Sequence, residues 1–336
     1  MHLFLVAFLA LASAHASAAV YRGESGGRHI VASDDALAWY DESERLPQPL
    51  TPSACPGGTC YQSEAGDTLR LQDGKAWWND RPLAPYSAPV SDPNNHLYAS
   101  ELPFAAALLA DVAFTKTATT QLQDKTLQWY RDPESGLEHP LLAAGYPVAQ
   151  RAALNQYLRA QALNILAARR QCLAAMPAGQ RATLQYRVTL TPTLLSAQYA
   201  SFHIHEENSC GTPYAADSGI SYSLAAGRGV ELEDLFWPND GTPQPLDDSP
   251  AAQNLREQRA QWLHDTLQRR APQAMQGYPY QPRHYLYPYF YLVPEGIYIG
   301  PLLPARAAAH AHPAGSVIPA AIVAEHPGML GKAALP

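Results

Sequence analysis

The sequence predicts an α+β protein: a small N-terminal β-sandwich or barrel, followed by an α+β domain whose helices pack on an antiparallel sheet. Three observations carry that prediction. Short runs of apolar residues, punctuated by Gly and Pro, crowd the first part of the chain. Helical periodicity appears only later, from Val148 to Cys172 and again after Ser249. The chain also holds 30 Pro in 336 residues, which favours turns and strand edges over long helices.

Taken in order, the chain opens with an apolar run, Met1 to Leu11, followed by Ala14-His15-Ala16-Ser17-Ala18. Small residues in A-x-A spacing after an apolar stretch mark a signal peptide, placed at 1–18, with the mature chain starting near Ser17 or Ala19. The run is too short to span a hydrocarbon core of ~30 Å, and no Cys follows it to carry a lipid. No later stretch is apolar enough to cross a bilayer, so no membrane span is expected after cleavage. Next, Leu69-Arg70-Leu71-Gln72 and Lys75-Ala76-Trp77-Trp78 flank Asp73-Gly74, a hairpin whose turn residues tolerate positive φ. The stretch from Ala84 to Glu101 reads as loop. Leu127 to Arg131 forms a strand, Asp132 to Gly136 turns the chain, and Leu137 to Leu142 returns it. The N-terminal β domain is therefore placed at 19–143.

Gly145-Tyr146-Pro147 punctuates the chain and opens the second domain, placed at 144–325, with a tail at 326–336. Its first helix carries Leu154, Tyr157, Leu158, Leu163, Ile165 and Leu166 as an apolar stripe and ends by Pro177. Leu184, Tyr186, Val188 and Leu190 alternate with polar residues as a half-buried strand. Tyr199–His205 and Gly219–Leu224 are further strands. Ser249 caps a second helix with Pro250 at its first position, and Leu255, Trp262, Leu263, Thr266 and Leu267 line one side. Tyr289–Val293 and Ile297–Ile299 form a hairpin about Pro294-Glu295-Gly296, and Gly315–Ile318 supplies a last strand.

Composition narrows the function. The net charge is −7 with no strongly basic block, so nucleic acid is not an expected partner. Four Cys in an exported chain predict two disulfides, with Cys55–Cys60 and Cys172–Cys210 favoured because Pro56-Gly57-Gly58-Thr59 can turn between the first pair. The alternative, a four-thiolate zinc site, uses two short C-x2-C pairs, and only one close pair exists here, with different spacing.

Several motifs in the second domain resemble a known family. Tyr222-Ser223-Leu224 followed by Gly227 to Phe236 resembles its strand, Gly turn and L-x-D-L-F segment. Phe290 to Ile297 resembles its FYLTPEGI hairpin. Ala314-Gly315 before Val317-Ile318-Pro319 resembles its ending, and Cys210-Gly211-Thr212-Pro213-Tyr214 a variant of its GGAHP loop. In this order the motifs resemble the RsiV-like domain, over roughly 145–324. That domain is the extracytoplasmic part of lysozyme-sensing anti-sigma factors and also precedes the catalytic domain of some peptidoglycan deacetylases. The resemblance implies a binding fold rather than a catalyst. The family loop is altered here at Thr212, Pro213 and Tyr214, and Leu302-Leu303-Pro304 stands where a Tyr-Glu pair is usual.

The chemistry-bearing residues are few. Gly23-Glu24-Ser25-Gly26-Gly27 matches G-x-S-x-G but lacks the buried strand and following helix of a nucleophile elbow, so it reads as a loop. His203 and His205 lie on one face of a strand and could share a metal ion, and His310-Ala311-His312 repeats the spacing. Glu231, Glu233 and Asp234 read as a solvated strand face rather than a glycosidase pair. Of the vicinal pair Trp77-Trp78, one is expected in the core. Tyr280, Tyr285, Tyr287 and Tyr289, with Tyr214, are the candidate recognition residues, since Tyr joins rigid apolar area to a hydroxyl. The expected protein is a non-catalytic periplasmic binding protein of the cell envelope, with no cofactor. Its partner would be a lysozyme-like protein or a peptidoglycan fragment. The alternative is a metal-dependent envelope hydrolase using His203 and His205.

Overall fold

The computed structural model describes residues 20–34, 37–86, 103–208, 214–304, 307 and 310–331. The expected signal peptide, most of the 84–101 loop and Cys210 lie outside them. Among the described residues the chain divides into two compact units, 20–86 with 103–110, and 111–331. The structure is mixed α and β, with antiparallel strands predominating throughout.

In the first unit, strands β1 (Val20–Ser25), β2 (Arg28–Ser33), β3 (Ala38–Asp41), β4 (Gln48–Pro49), β5 (Thr51–Ser53), β6 (Thr59–Gln62), β7 (Thr68–Gln72), β8 (Lys75–Trp78) and β9 (Arg81–Pro85) form one sheet. Its order is β4-β3-β2-β1-β9-β8-β7-β6-β5. The two edge strands, β4 and β5, are separated in sequence by Leu50 alone. The sheet therefore curls until its edges meet, a near-barrel that leaves little open edge. Tyr21, Ile30, Ala32, Trp39, Leu50, Leu69, Ala76, Trp78 and Leu83 fill one face. On the other, Val20, Val31 and Tyr40 meet Phe104, Ala107 and Leu108 of helix α1 (Pro103–Leu108). Asp73 and Gly74 take φ of 50° and 71°, the left-handed turn the Asp-Gly pair predicts. Ser25 pairs with Arg28 across Gly26-Gly27, so the G-x-S-x-G match is a hairpin turn. Trp78 is buried against Trp39, and Trp77 lies under the Arg70 guanidinium. Cys55 is bonded to Cys60 as expected. Cys172 is also disulfide-bonded.

The second unit begins at Asp111, ahead of the 143/144 boundary read from Gly145. Strands β10 (Thr115–Leu122), β11 (Lys125–Arg131) and β12 (Glu138–Ala144) form a meander that belongs with helix α2 (Val148–Ala175). The Asn155 amide holds both polar groups of Leu142, accepting from its N–H at 2.7 Å and donating to its carbonyl at 2.9 Å. Arg151 donates to the Ala143 carbonyl. Gly145, at φ 98°, thus turns a strand into a helix within one unit.

Strands β13 (Tyr186–Leu195), β14 (Tyr199–Asn208), β15 (Tyr214–Ser223) and β16 (Arg228–Gly229) form a second sheet, and β17 (Tyr289–Val293), β18 (Gly296–Gly300) and β19 (Val317–Pro319) a third. Between them come helices α3 (Leu232–Leu235), α4 (Pro250–Arg270) and α5 (Pro272–Met275), and α6 (Ala320–Glu325) closes the unit. The core joins Leu194, Leu235, Phe236, Leu263, Leu267, Tyr285, Leu292, Ile297 and Ile299. The segment 231–235 is not the predicted solvated strand. It is a helical turn whose Asp234 is buried and takes two 2.7 Å hydrogen bonds from Arg228. A buried carboxylate so paired cannot sit on an alternating surface strand.

Candidate functional site

The ladder of β14 and β15 sets up a cluster of titratable side chains in the second unit. His203 and His205 alternate onto one face of β14. The register places Asp217 opposite His205 and Gly219 opposite His203. Asp217 Oδ1 then receives both rings, His203 Nε2 at 2.7 Å and His205 Nδ1 at 2.9 Å. An ionised carboxylate only accepts, so both ring nitrogens donate. Burial raises the Asp217 pKa, but the hydrogen bonds from His203 and His205 outweigh it, and the carboxyl stays below its ordinary range.

The third sheet completes the cluster. Tyr291 stacks on Tyr298 at 4.6 Å, and Tyr298 on His312 at 4.7 Å. His312 also lies 4.9 Å from the His203 ring. The Tyr289 hydroxyl donates to the Ala311 carbonyl at 2.9 Å and lies 3.0 Å from His312 Nδ1. Burial, ahead of the neighbouring Tyr298 and Asp217, pushes the Tyr289 hydroxyl far above its usual pKa. Desolvation by the rings packed against it lowers His312, although the side chain keeps an exposed edge, and the Asp217 charge opposes the shift. His203, Asp217 and His312 each present one ligand atom, all within 4.8 Å of one another, and so could hold a metal ion. His310 does not join them: it stacks on Tyr278 at 5.2 Å.

The tyrosines separate by burial. Tyr285 is fully buried and Tyr280 nearly so, its hydroxyl on the His310 carbonyl, and neither presents a ring to a partner. Tyr289 belongs to the histidine cluster. Tyr214 opens β15 opposite Asn208, and only its backbone is described. Of the four whose side chains are described, Tyr287 alone is open, 53% exposed. It stands at a groove of ≈ 350 Å³ with Glu231, Glu233, Arg256, Arg259 and Pro288. Arg256 is buried, lies 5.1 Å from the Tyr287 ring and donates to the Leu246 carbonyl at 2.8 Å. Glu233 is taken by Arg259, whose second nitrogen donates to the Leu286 carbonyl at 3.0 Å. Burial, then the charges of Glu233 and Asp234, raises the Glu231 carboxyl above its usual range.

Of the residues in these two clusters, the sequence reading singled out His203, His205, His312, Tyr287, Tyr289, Glu231 and Glu233, but not Asp217, Tyr298, Arg256 or Arg259. The one available signal for Asp217 was its distance from the β14–β15 turn, which reads only once the register is known. A scan against protein-family models and a search of curated proteins both return no match for this chain.

Proposed function

We propose that this protein is a periplasmic binding protein of the cell envelope that holds a peptidoglycan fragment in the Tyr287 groove without cleaving it. The observation that carries this reading is Arg256: a buried guanidinium with no ion-pair partner among the described residues, beneath a half-exposed Tyr ring. Sugar rings pack on aromatic faces, and a buried guanidinium recognises a ligand carboxylate with two parallel hydrogen bonds. Peptidoglycan fragments bring both groups. A concave groove of this size suits a small ligand better than the flat face of a protein. Glycoside cleavage takes two working carboxyls, and with Glu233 committed to Arg259 the groove retains Glu231 alone among the described residues. The disulfides, the expected leader and the resemblance to the RsiV-like domain all point to the envelope.

Titration with N-acetylmuramyl dipeptide tests the proposal. Saturable binding is expected, weakened about tenfold by Tyr287→Ala and by Arg256→Gln. Absence of saturable binding overturns it. Lysozyme binding unaffected by Tyr287→Ala would move the reading to a protein partner, and chelator-sensitive cleavage of the glycan would move it to a hydrolase.

A further inference from the structure

We propose that His203, Asp217 and His312 bind one divalent transition-metal ion of the zinc class, with His205 as a positioning residue behind Asp217. The proposal is independent of the Tyr287 groove. The donor set is two imidazoles and a carboxylate, the mixture that borderline ions such as Zn²⁺ prefer over Mg²⁺ or Ca²⁺. Tetrahedral bonds of about 2.0–2.1 Å put ligand atoms roughly 3.4 Å apart. The three atoms lie within 4.8 Å of one another, with His203 and Asp217 already at 2.7 Å, so rotation of side chains brings them to that spacing.

The hydrogen-bond network prepares each ligand. The Tyr289 hydroxyl has one proton, and it goes to the Ala311 carbonyl. Its oxygen is then the acceptor for His312 Nδ1–H at 3.0 Å, which fixes the tautomer with Nε2 unprotonated; there it accepts from the Tyr291 hydroxyl at 3.4 Å, a long bond that a metal would displace. Stacking on Tyr298 holds the ring plane. His205 Nδ1–H donates to Asp217 Oδ1 and keeps the carboxylate turned toward His203. On binding, His203 Nε2 exchanges its hydrogen bond to Asp217 for the metal, and its proton moves to Nδ1. Gly219 opposite His203 lets the backbone of β17 close against that part of the face, which brings the Tyr291 ring to 5.0 Å from His203. Three protein ligands leave a fourth position, and His312 is exposed, so that position opens to solvent. A water or an anionic ligand atom would fill it.

The test uses the untagged mature chain, stripped with chelator and titrated with Zn²⁺ by calorimetry at neutral pH. One ion per chain at micromolar affinity or tighter is expected. His312→Ala should weaken binding at least about 100-fold, and His205→Gln about 10–100-fold, as for outer-shell partners elsewhere. Zn²⁺ should raise the melting temperature of the wild type and not of His312→Ala. Co²⁺ should give the strong visible absorption of a tetrahedral site. His312 is exposed, so its variant should keep the wild-type circular dichroism, which keeps the comparison valid should His203 variants fail to fold. No saturable Zn²⁺ binding, or an affinity unchanged by His312→Ala, overturns the proposal.

Discussion

His139 is fully buried on β12, with the edge of Phe114 at 4.3 Å. Burial, reinforced by the Arg159 charge, pushes its pKa down to about 3. The folded protein therefore keeps this ring neutral where the unfolded chain, with a pKa of about 6.5, takes up a proton. Stability should fall as pH drops from about 6.5 toward 3, by up to about 1.4 kcal/mol per unit from this one group. His139→Phe should flatten that part of a denaturant-midpoint against pH curve. Asp217 and Asp234, both held below their ordinary range, lose their contribution only at lower pH, as they protonate. A wild-type curve already flat between about 5 and 6.5 would exclude the His139 account. Gly219 is a second single-residue determinant. A Cβ there would collide with the Phe290 carbonyl of β17, so the two sheets approach this closely only across glycine. Gly219→Ala should destabilise by about 2 kcal/mol, read from urea midpoints.

Among the elements, α4 begins where its sequence says it should. Ser249 accepts a hydrogen bond from the Ala252 N–H at 3.2 Å, and Pro250 occupies the first turn, where no N–H is needed. Ser249→Ala should cost about 1 kcal/mol, and Ser249→Asp should restore most of it. The Cys55–Cys60 bond closes a short turn between β5 and β6. In the chain-entropy model, closing so short a loop is worth only about 2 kcal/mol. Replacing both by Ser should lower the melting temperature of the first unit without abolishing its sheet. Complete loss of its far-ultraviolet signal would show that the bridge does more than restrict the unfolded chain.

At the scale of the whole molecule, the second unit carries its own core, its own three sheets and both polar sites. A fragment of residues 111–336 should fold by itself and keep its near-ultraviolet signal, whereas a fragment starting at 144 should not. The reason is local: removing β10–β12 uncovers Leu154 and Leu158 of α2 and leaves Asn155 without the Leu142 groups it holds. Equal folding of the two fragments would refute the assignment of the meander to this unit.

What the sequence determined by itself was local. The hairpins at 69–78 and 289–299 pair as their alternation and turn residues predict. The Ser249 cap, the apolar stripe of α2 and the Cys55–Cys60 pairing are also written in neighbouring residues. These features depend on backbone preference and on side chains a few positions apart, so a linear reading captures them. Tertiary structure alone decided that β10–β12 join the second unit. It also decided that Tyr280 and Tyr285 are core while Tyr287 is open, and that His203 and His205 meet Asp217 and His312. Register and sheet-to-sheet contact set those outcomes. Both are chosen by which apolar faces bury together across long stretches of chain, a quantity that no single segment contains.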